Sequence, residues 1–358
     1  MQIPYLDLKR INACHNLSGR LSAVLDSGWY LKGKEVLQFE QAFATYCHTQ
    51  YCAGVGSGLD ALTLILLACK EMGLVKDGNE VIVPSLTFVA TIEAVLRAGL
   101  TPRLCEVNPQ TCTMDADEAE RLVNRRTRLL LPVQLYGCDI DRRLLDVAET
   151  HGLEVVVDAA QAHGLRHHPQ VLADAYSFYP AKNLGALGDG GAVTTDNGQL
   201  DRIVRCLANY GSEEKYTHRL RGLNSRLDEL QAAVLSSKLN TLDQDNRRRN
   251  HLAQRYLKEI EWQRLELDTI HPDSCVYHVF PVFTDRRDPL KDHLENRGIE
   301  TLLHYPLPVH RQEAYRSRFA EVSLPLTEQI CRTELSLPIG PYLSDEEASY
   351  IIRQVNAF

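Results

Sequence analysis

The chain has 358 residues, of which 44% are hydrophobic and 24% charged, and its formal net charge is −8. This balance is typical of a soluble globular protein that is large enough for two domains. The acidic balance excludes a general nucleic-acid binder, and no apolar run is long enough to span a membrane. The ten cysteines show no zinc-binding or disulfide pattern, so we expect a cytoplasmic protein with free thiols.

The N-terminal part of the chain predicts a phosphate site. Residues 17–46 are expected to be helical in part, with an interruption at Gly28–Gly33. Small residues then lead into a helix that we predict to begin near Gly58. The first N–H groups of a helix lack intrahelical partners, so those of Gly58 and Leu59 could bind a phosphate. A plain helix cap by Ser57 is the alternative.

Strands and helices alternate along the next hundred residues, which indicates an α/β fold with a mainly parallel sheet. We predict strands at 81–83, 103–107, 127–133 and 154–158, and helices near Thr91, Ala116 and Arg142. The first of these strands ends at Pro84, which places Thr87 and Phe88 at the carboxyl edge of the sheet. Phe88 could equally be a core residue.

Asp158 follows a run of valines and therefore lies at the carboxyl end of a buried strand, where open α/β sheets bind ligands. A buried carboxylate requires a cationic partner, and the protonated nitrogen of a pyridine ring is one such partner. The alternative is an aspartate that caps a following helix. His163, His167 and His168 fit no rigid set of metal ligands.

Lys182 is predicted to lie at the end of another strand, at 175–179, which stops at Pro180. The loop after it contains Gly185, Gly188, Gly190 and Gly191. A lysine held at a strand end loses its proton more readily than a solvated one, and a neutral amine attacks carbonyl groups. The alternative is an ordinary surface lysine.

The remaining elements complete a second, smaller domain. A strand at 192–195 and a helix precede the loop 209–218, and a second loop at 222–228 enters an amphipathic helix. A helix at 240–258 then connects to a C-terminal part with a strand at 276–283, a helix from Leu290, a strand ending at His304, and closing helices. We predict a large domain at 1–240 and a smaller one at 241–358.

Three motifs together resemble one enzyme family. Asp158-Ala-Ala-Gln-Ala-His, Ser177-x-x-Pro-x-Lys-Asn and Asn224-Ser-Arg-Leu-Asp-Glu-Leu-Gln-Ala-Ala are similar to those of the DegT/DnrJ/EryC1/StrS sugar aminotransferases. The resemblance runs nearly from end to end. It implies the fold-type I architecture, with a mainly parallel sheet flanked by helices and a smaller C-terminal α/β domain, and it implies pyridoxal 5′-phosphate (PLP) as the cofactor.

The resemblance also implies a role for each candidate residue. Lys182 would be the catalytic residue that carries the cofactor and moves protons. Asp158 would pair with the ring nitrogen, Gln161 with the ring hydroxyl, and Phe88 and Ala160 would cover the two ring faces. The phosphate would contact Ser57, Gly58, Leu59, Ser177 and, from a neighbouring subunit, Asn224. The residues expected to bind substrate are Tyr210, Arg226, His304 and Tyr305.

The function implied is ping-pong transfer of an amino group from glutamate to a nucleotide-linked keto sugar, in a homodimer with shared active sites. Gly58–Leu62, Tyr210-Gly-Ser, Lys215-Tyr-x-His218 and the Phe-Tyr-Pro before Ala181 resemble the branch that aminates C3 of dTDP-linked 3-keto-6-deoxyhexoses. A UDP-linked 3-keto sugar and a 4-keto-6-deoxyhexose aminated at C4 are alternatives. A non-catalytic regulator of the same fold is a further one. Sugar 3-dehydratases carry histidine at the lysine position, so Lys182 argues against that class.

Four features depart from the family pattern. Leu59 stands where threonine is frequent, which leaves only a backbone N–H for the phosphate. Ala181 and Gln134 replace more usual residues, and Gln134 receives no role. The segment 165–176 is shorter than in most members, which makes the local loop geometry hard to predict.

Overall fold

A seven-stranded sheet forms the centre of the computed structural model, which describes residues 1–358. The strands are β1 (Tyr51–Val55), β2 (Glu80–Pro84), β3 (Thr101–Cys105), β4 (Thr127–Leu130), β5 (Glu154–Asp158), β6 (Ala173–Ser177) and β7 (Gly191–Thr195). Their order is β1-β7-β6-β5-β4-β2-β3. Only β7 is antiparallel to its neighbours β1 and β6, so the other six strands share one direction. The carboxyl ends of those six strands and the start of β7 therefore meet at one edge.

Helices cover both faces of the sheet. Those of the first two thirds of the chain are α1 (Leu8–Ala13), α2 (Leu17–Ser27), α3 (Lys34–Cys47), α4 (Gly58–Glu71), α5 (Val89–Arg97), α6 (Ala116–Leu122), α7 (Arg143–His151), α8 (Gly198–Leu207) and α9 (Glu229–Leu239). One buried cluster includes residues of α4, α5 and α8, and a second includes residues of α3, α7 and α9. Burial of these apolar side chains is the main force that holds the helices to the sheet.

The C-terminal part has a small sheet and five helices. Its elements are α10 (Leu242–Glu259), α11 (Trp262–Leu265), β10 (Phe280–Phe283), α12 (Arg287–Glu295), α13 (Pro325–Thr333), β11 (Glu334–Leu337) and α14 (Asp345–Asn356), with a hairpin of β8 (Ser212–Glu214) and β9 (Thr217–His218) before them. Its core also includes Val107 and Tyr136 from the first part of the chain. The domain boundary at 240 stays a prediction. None of the helices combines the length and the apolar character needed to cross a membrane.

Several predicted elements are shorter than expected or shifted. The strand predicted at 276–283 is wrong over its first half, because Tyr277 has a positive φ of 45° and the segment instead bonds to residues 136–138. The strand predicted to end at His304 is reduced to a single bridge between Leu302 and Ser336. The strands predicted at 103–107 and 175–179 each begin two residues earlier, and the strand at 127–133 ends at residue 130.

Helix α9 is buried on several faces and is not the amphipathic helix that we predicted. Ala232, Ala233 and Leu235 are fully enclosed, as is the carboxylate of Glu229 in its first turn. That carboxylate accepts hydrogen bonds from the N–H groups of Gly33, Glu35 and Val36, at 2.8, 2.9 and 3.1 Å. Glu229 thus satisfies the first turn of α3 and holds the preceding loop against α9.

Candidate active site

Ser57, Gly58, Ser177 and Gly191 pack against one another at the edge where the strand ends meet. A Cβ atom on Gly58 would lie 2.7 Å from the Cβ of Ser177, and one on Gly191 would collide with the backbone of Ser57. Real Cβ atoms do not approach so closely, so both positions require glycine. The backbone at the start of α4 is therefore in direct contact with the end of β6 and the start of β7.

The start of α4 is capped by Ser57, and the phosphate site there stays a prediction. The hydroxyl of Ser57 accepts a hydrogen bond of 3.1 Å from the N–H of Asp60, so Ser57 caps the helix. The N–H groups of Gly58 and Leu59 remain available at the same helix end. Free N–H groups and the positive end of the helix dipole form an anion site, and the hydroxyl of Ser177 lies beside it.

Asp158 is a buried carboxylate without a cationic partner. It is 5% exposed, and its oxygens accept hydrogen bonds from the Thr91 hydroxyl at 2.8 Å and the Ala160 N–H at 3.1 Å. Thr87 in turn lies 2.7 Å from Thr91. Burial raises the pKa of Asp158, although these hydrogen bonds and the charge of Lys182 oppose the shift. The alternative of a helix cap is wrong, because a turn follows β5.

Lys182 lies in the connection between β6 and β7, and its loop is fixed at several points. Its N–H donates to the carbonyl of Tyr179 at 2.8 Å, and the buried amine of Lys238 donates to the carbonyl of Gly185 at 2.7 Å. Burial lowers the pKa of Lys182 to about 8, with the carboxylate of Asp158 opposing that change. A larger fraction of the amine is therefore neutral at physiological pH than in a solvated lysine.

A second set of predicted residues lies near Asp158 and Lys182. Phe88 is 56% exposed, which excludes the core role, and its ring centroid lies 5.7 Å from that of Tyr305. The amide of Gln161 accepts from the N–H of Tyr136 at 2.6 Å and donates to the hydroxyl of Tyr305 at 3.2 Å. The hydroxyl of Tyr136 donates to the carbonyl of His304 at 2.5 Å.

Tyr210, Asn224 and Arg226 form a separate group. The guanidinium carbon of Arg226 lies 5.7 Å from the Tyr210 ring centroid, and the same guanidinium donates to the side-chain oxygen of Asn224. Asn224 is exposed. The group adjoins the loop before α3, which Glu229 holds, because Leu31 in that loop pairs with Asp228.

Three polar residues of this region were missed by the sequence analysis. Thr91 lies three residues after Phe88, and its position on the first turn of α5 could have suggested a contact with the adjacent strand end. The N–H of Tyr136 is aimed at Gln161 through a left-handed backbone with φ 59°, for which the sequence has no signal. His278 lies on the segment that was predicted as regular strand.

The chain's own residues fit PLP. The buried carboxylate of Asp158 lacks the cation that a protonated pyridine nitrogen would provide, and the exposed face of Phe88 is free to stack on an aromatic ring. The glycine-lined N-terminus of α4 would hold a phosphate. The half-buried amine of Lys182 would react with an aldehyde.

Comparison with known proteins agrees with this fit. The model of the DegT/DnrJ/EryC1/StrS aminotransferase family matches residues 14–356. The chain is 46% identical over 370 residues to the erythromycin biosynthesis sensory transduction protein EryC1 of Saccharopolyspora erythraea, covering 100% of both chains. It is 46% identical over 367 residues to the dTDP-3-amino-3,4,6-trideoxy-alpha-D-glucose transaminase of Streptomyces venezuelae, covering 99% and 95%.

A solved structure gives the same result for the fold. The crystal structure of NtdA from Bacillus subtilis with the bound cofactor PMP superimposes with a TM-score of 0.93 at 30% identity. The match covers 99% of this chain and 84% of that one. The prediction of an α/β aminotransferase fold is thus confirmed.

Proposed function

Because the chain belongs to the DegT/DnrJ/EryC1/StrS family and is a PLP-dependent sugar aminotransferase, we propose its two substrates. The amino donor is glutamate. The acceptor is a dTDP-linked 3-keto-6-deoxyhexose, which is aminated at C3. The observation that carries the enzymatic part of this proposal is that two side chains act on each other's pKa: Asp158, a buried carboxylate with no ion-pair partner, and Lys182, whose pKa burial lowers to about 8.

Lys182 does the proton transfer in this proposal. Its Nζ, once free of the cofactor, would take the proton from the Cα of the amino donor and deliver it as a general acid to C4′ of the cofactor, and in the second half-reaction it would move a proton from C4′ to the sugar carbon that receives the amino group. When bound, the cofactor supplies an electron-withdrawing ring that stabilises charge at the reacting carbon. Asp158 would keep the ring nitrogen protonated, and Gln161, whose amide oxygen accepts from the N–H of Tyr136, would contact the ring hydroxyl.

The position of amination depends on how the sugar is held. The nucleotide is anchored in a fixed groove, so the tilt of the sugar decides which carbonyl carbon lies within reach of the reacting centre. In our proposal two pairs of side chains set that tilt. They are Tyr210 with Arg226, and His304 with Tyr305. The Streptomyces venezuelae relative is named for a sugar that carries its amino group at C3, which supports the C3 assignment over C4.

We expect a product aminated at C3 when the enzyme is incubated with glutamate and the dTDP-linked 3-keto-6-deoxyhexose. Location of the new C–N bond by NMR is the measurement. Parallel reactions with the UDP-linked 3-keto sugar and with the 4-keto isomer serve as comparisons. Amination at C4 alone would show that the branch assignment is wrong.

The enzyme acts as a homodimer with shared sites in our proposal. Trp29 is 63% exposed and Tyr216 85% exposed, and Tyr30 and Tyr210 are also exposed around the group that contains Asn224. Exposed aromatic residues in such number on one region indicate a surface that a partner covers. A twofold partner would place its own Asn224 at the phosphate of this subunit.

Mixing two inactive variants tests the shared site. Lys182→Ala and Asn224→Ala subunits should form mixed dimers in which one site carries both lesions and the other none. Random exchange should then restore up to about a quarter of wild-type activity. A mixture of Lys182→Ala with Lys182→Met is the matched control and should stay inactive. The shared site would be contradicted if the subunits exchange, both parent variants are strongly impaired, and no activity returns. Each site would then be built from one chain.

We propose that the enzyme is cytoplasmic because its cysteines are reduced. All ten are free thiols. The thiol of Cys138 donates a hydrogen bond to the sulfur of Cys275 at 3.2 Å, and no disulfide bond joins them. Unpaired thiols in such number are typical of a reducing compartment.

A further inference from the structure

We propose that His278 is a further substrate-contacting residue, which presents a bare Nε2 lone pair to the cleft around Lys182 and accepts a hydrogen bond from a substrate O–H or N–H group. This inference rests on the proposed function, since it concerns the same site. The sequence analysis gave His278 no role. Its position and its tautomer both follow from the contacts of the chain.

A chain of side-chain amides fixes the tautomer of His278. Asn246 donates to the carbonyl of His163 at 2.7 Å, and a carbonyl can only accept, so the amide nitrogen of Asn246 faces His163. Asn183 donates to the amide oxygen of Asn246 at 3.0 Å and to the carbonyl of Val276 at 3.2 Å. The amide oxygen of Asn183 is therefore the atom that lies 3.1 Å from Nδ1 of His278.

Nδ1 of His278 must then carry the proton. An amide oxygen accepts hydrogen bonds and cannot donate one, so the contact exists only if the imidazole is the donor. The backbone carbonyls of His163 and Val276 leave neither amide free to turn around. In the neutral ring, Nε2 is then an acceptor without a proton, and no group of the chain bonds to it.

His278 adjoins the reacting centre. Asn183, its hydrogen-bond partner, directly follows Lys182 in the chain. The charged and titratable groups that act on the ring are Lys182, Arg249, His304 and His163. Burial, followed by the charge of Lys182, holds the pKa of His278 well below its ordinary value, so the ring is neutral. The side chain is half-buried, and its unpartnered Nε2 is not among the fully buried atoms, so this nitrogen is accessible from outside the chain.

His304 shows the same arrangement. Its Nδ1 lies 2.8 Å from the hydroxyl of Ser336, and that hydroxyl donates its one proton to the carboxylate of Glu334. Burial raises the pKa of Glu334 to about 7, so above that pH Glu334 is ionised, Ser336 accepts from Nδ1 of His304, and Nε2 of His304 is also a bare acceptor. Two acceptor nitrogens near one lysine suit a substrate rich in donors, such as the hydroxyls of a sugar or the ammonium group of an amino acid.

Two variants of His278 test the acceptor role. His278→Leu removes the lone pair, whereas His278→Gln keeps an acceptor oxygen near the position of Nε2. Each half-reaction is measured separately by single-turnover absorbance, once with glutamate and once with the keto sugar. We expect His278→Leu to lower kcat/KM by about 10- to 100-fold in the half-reaction whose substrate donates to Nε2. His278→Gln should retain most of the rate.

The affected half-reaction identifies the donor. A loss confined to the sugar step assigns the contact to a hydroxyl, and a loss confined to the glutamate step assigns it to the ammonium group. Unchanged rates in both steps would overturn the proposal. Equal losses in both variants, together with a lowered melting temperature, would also overturn it and indicate a structural role. Exposed His251→Leu is the matched control.

A measurement without substrate keeps the test independent of the proposed function. Imidazole nitrogen-15 NMR of the wild-type protein should show a protonated Nδ1 and a bare Nε2 for His278 throughout the range of about pH 6 to 8. The opposite tautomer would contradict the proposal even if the sugar assignment is correct. If the sugar assignment is wrong instead, the NMR result and the glutamate half-reaction still stand.

Discussion

Lys182→Ala should abolish amino transfer while the protein stays folded and still binds pyridoxamine phosphate. The variant loses both the amine that holds the cofactor and the general base that moves the proton at the donor's Cα. Loss of the proton-transfer role alone corresponds to a fall of about 10²- to 10⁴-fold in kcat. The wild-type protein should be yellow with PLP, and borohydride should fix the cofactor on Lys182, as peptide mapping would show.

Added small amines provide a sharper form of this experiment. Methylamine or ethylamine can occupy the space left by the side chain and should restore part of the activity of Lys182→Ala. Lys258→Ala removes an exposed lysine from the last turn of α10, outside the site, and serves as the control for charge. Full turnover by Lys182→Ala without added amine would rule out the catalytic role of Lys182.

Asp158→Asn should have the second-largest effect on activity. Without the carboxylate, the ring nitrogen loses its proton and the ring becomes a poorer electron acceptor. Removing one partner of a buried ion pair costs about 3–5 kcal/mol, which corresponds to a fall of about 10²- to 10⁴-fold in the rate of either half-reaction. Stopped-flow absorbance with glutamate measures the first of them.

Without cofactor, Asp158→Asn should melt at a temperature equal to or higher than that of the wild-type apoprotein. Burial raises the pKa of Asp158, so its ionisation near neutral pH costs folding free energy that the amide does not cost. Thr91→Val, which removes only the hydroxyl that bonds to Asp158, should cause a much smaller loss of activity. An Asp158→Asn enzyme with unchanged rates would contradict a role at the ring nitrogen.

The sequence was sufficient to predict the residues that lie where a strand ends. Asp158 follows a valine run, and Ser177 and Lys182 bracket Pro180, so their placement at one sheet edge depends only on strand direction. The loop after Lys182 was recognisable by its glycines, and the structure shows that one of them, Gly191, touches the backbone of Ser57. These local signals placed Lys182, Asp158 and the start of α4 correctly.

Contacts made by irregular segments could not be predicted. Tyr277 takes a left-handed conformation that a Val-Tyr-His-Val-Phe sequence does not indicate, and this conformation separates His278 from the strand that follows. The burial of α9 likewise depends on helices that are distant in sequence. From the sequence alone a glutamate such as Glu229 is expected at the surface, and only its contact with α3 explains its burial.

The pairing of β1 with β7 has a consequence for the order of events on the ribosome. Strand β1 is made early, yet its only neighbour in the sheet is β7, which is synthesised after β6 and after Lys182. The backbone of Ser57 is enclosed only when Gly191 arrives beside it. A pairing between strands so distant in sequence forms late in folding. We therefore expect that a nascent chain that ends before β7 lacks the contact between Ser57 and Gly191, and that the cofactor binds only after β7 has been translated.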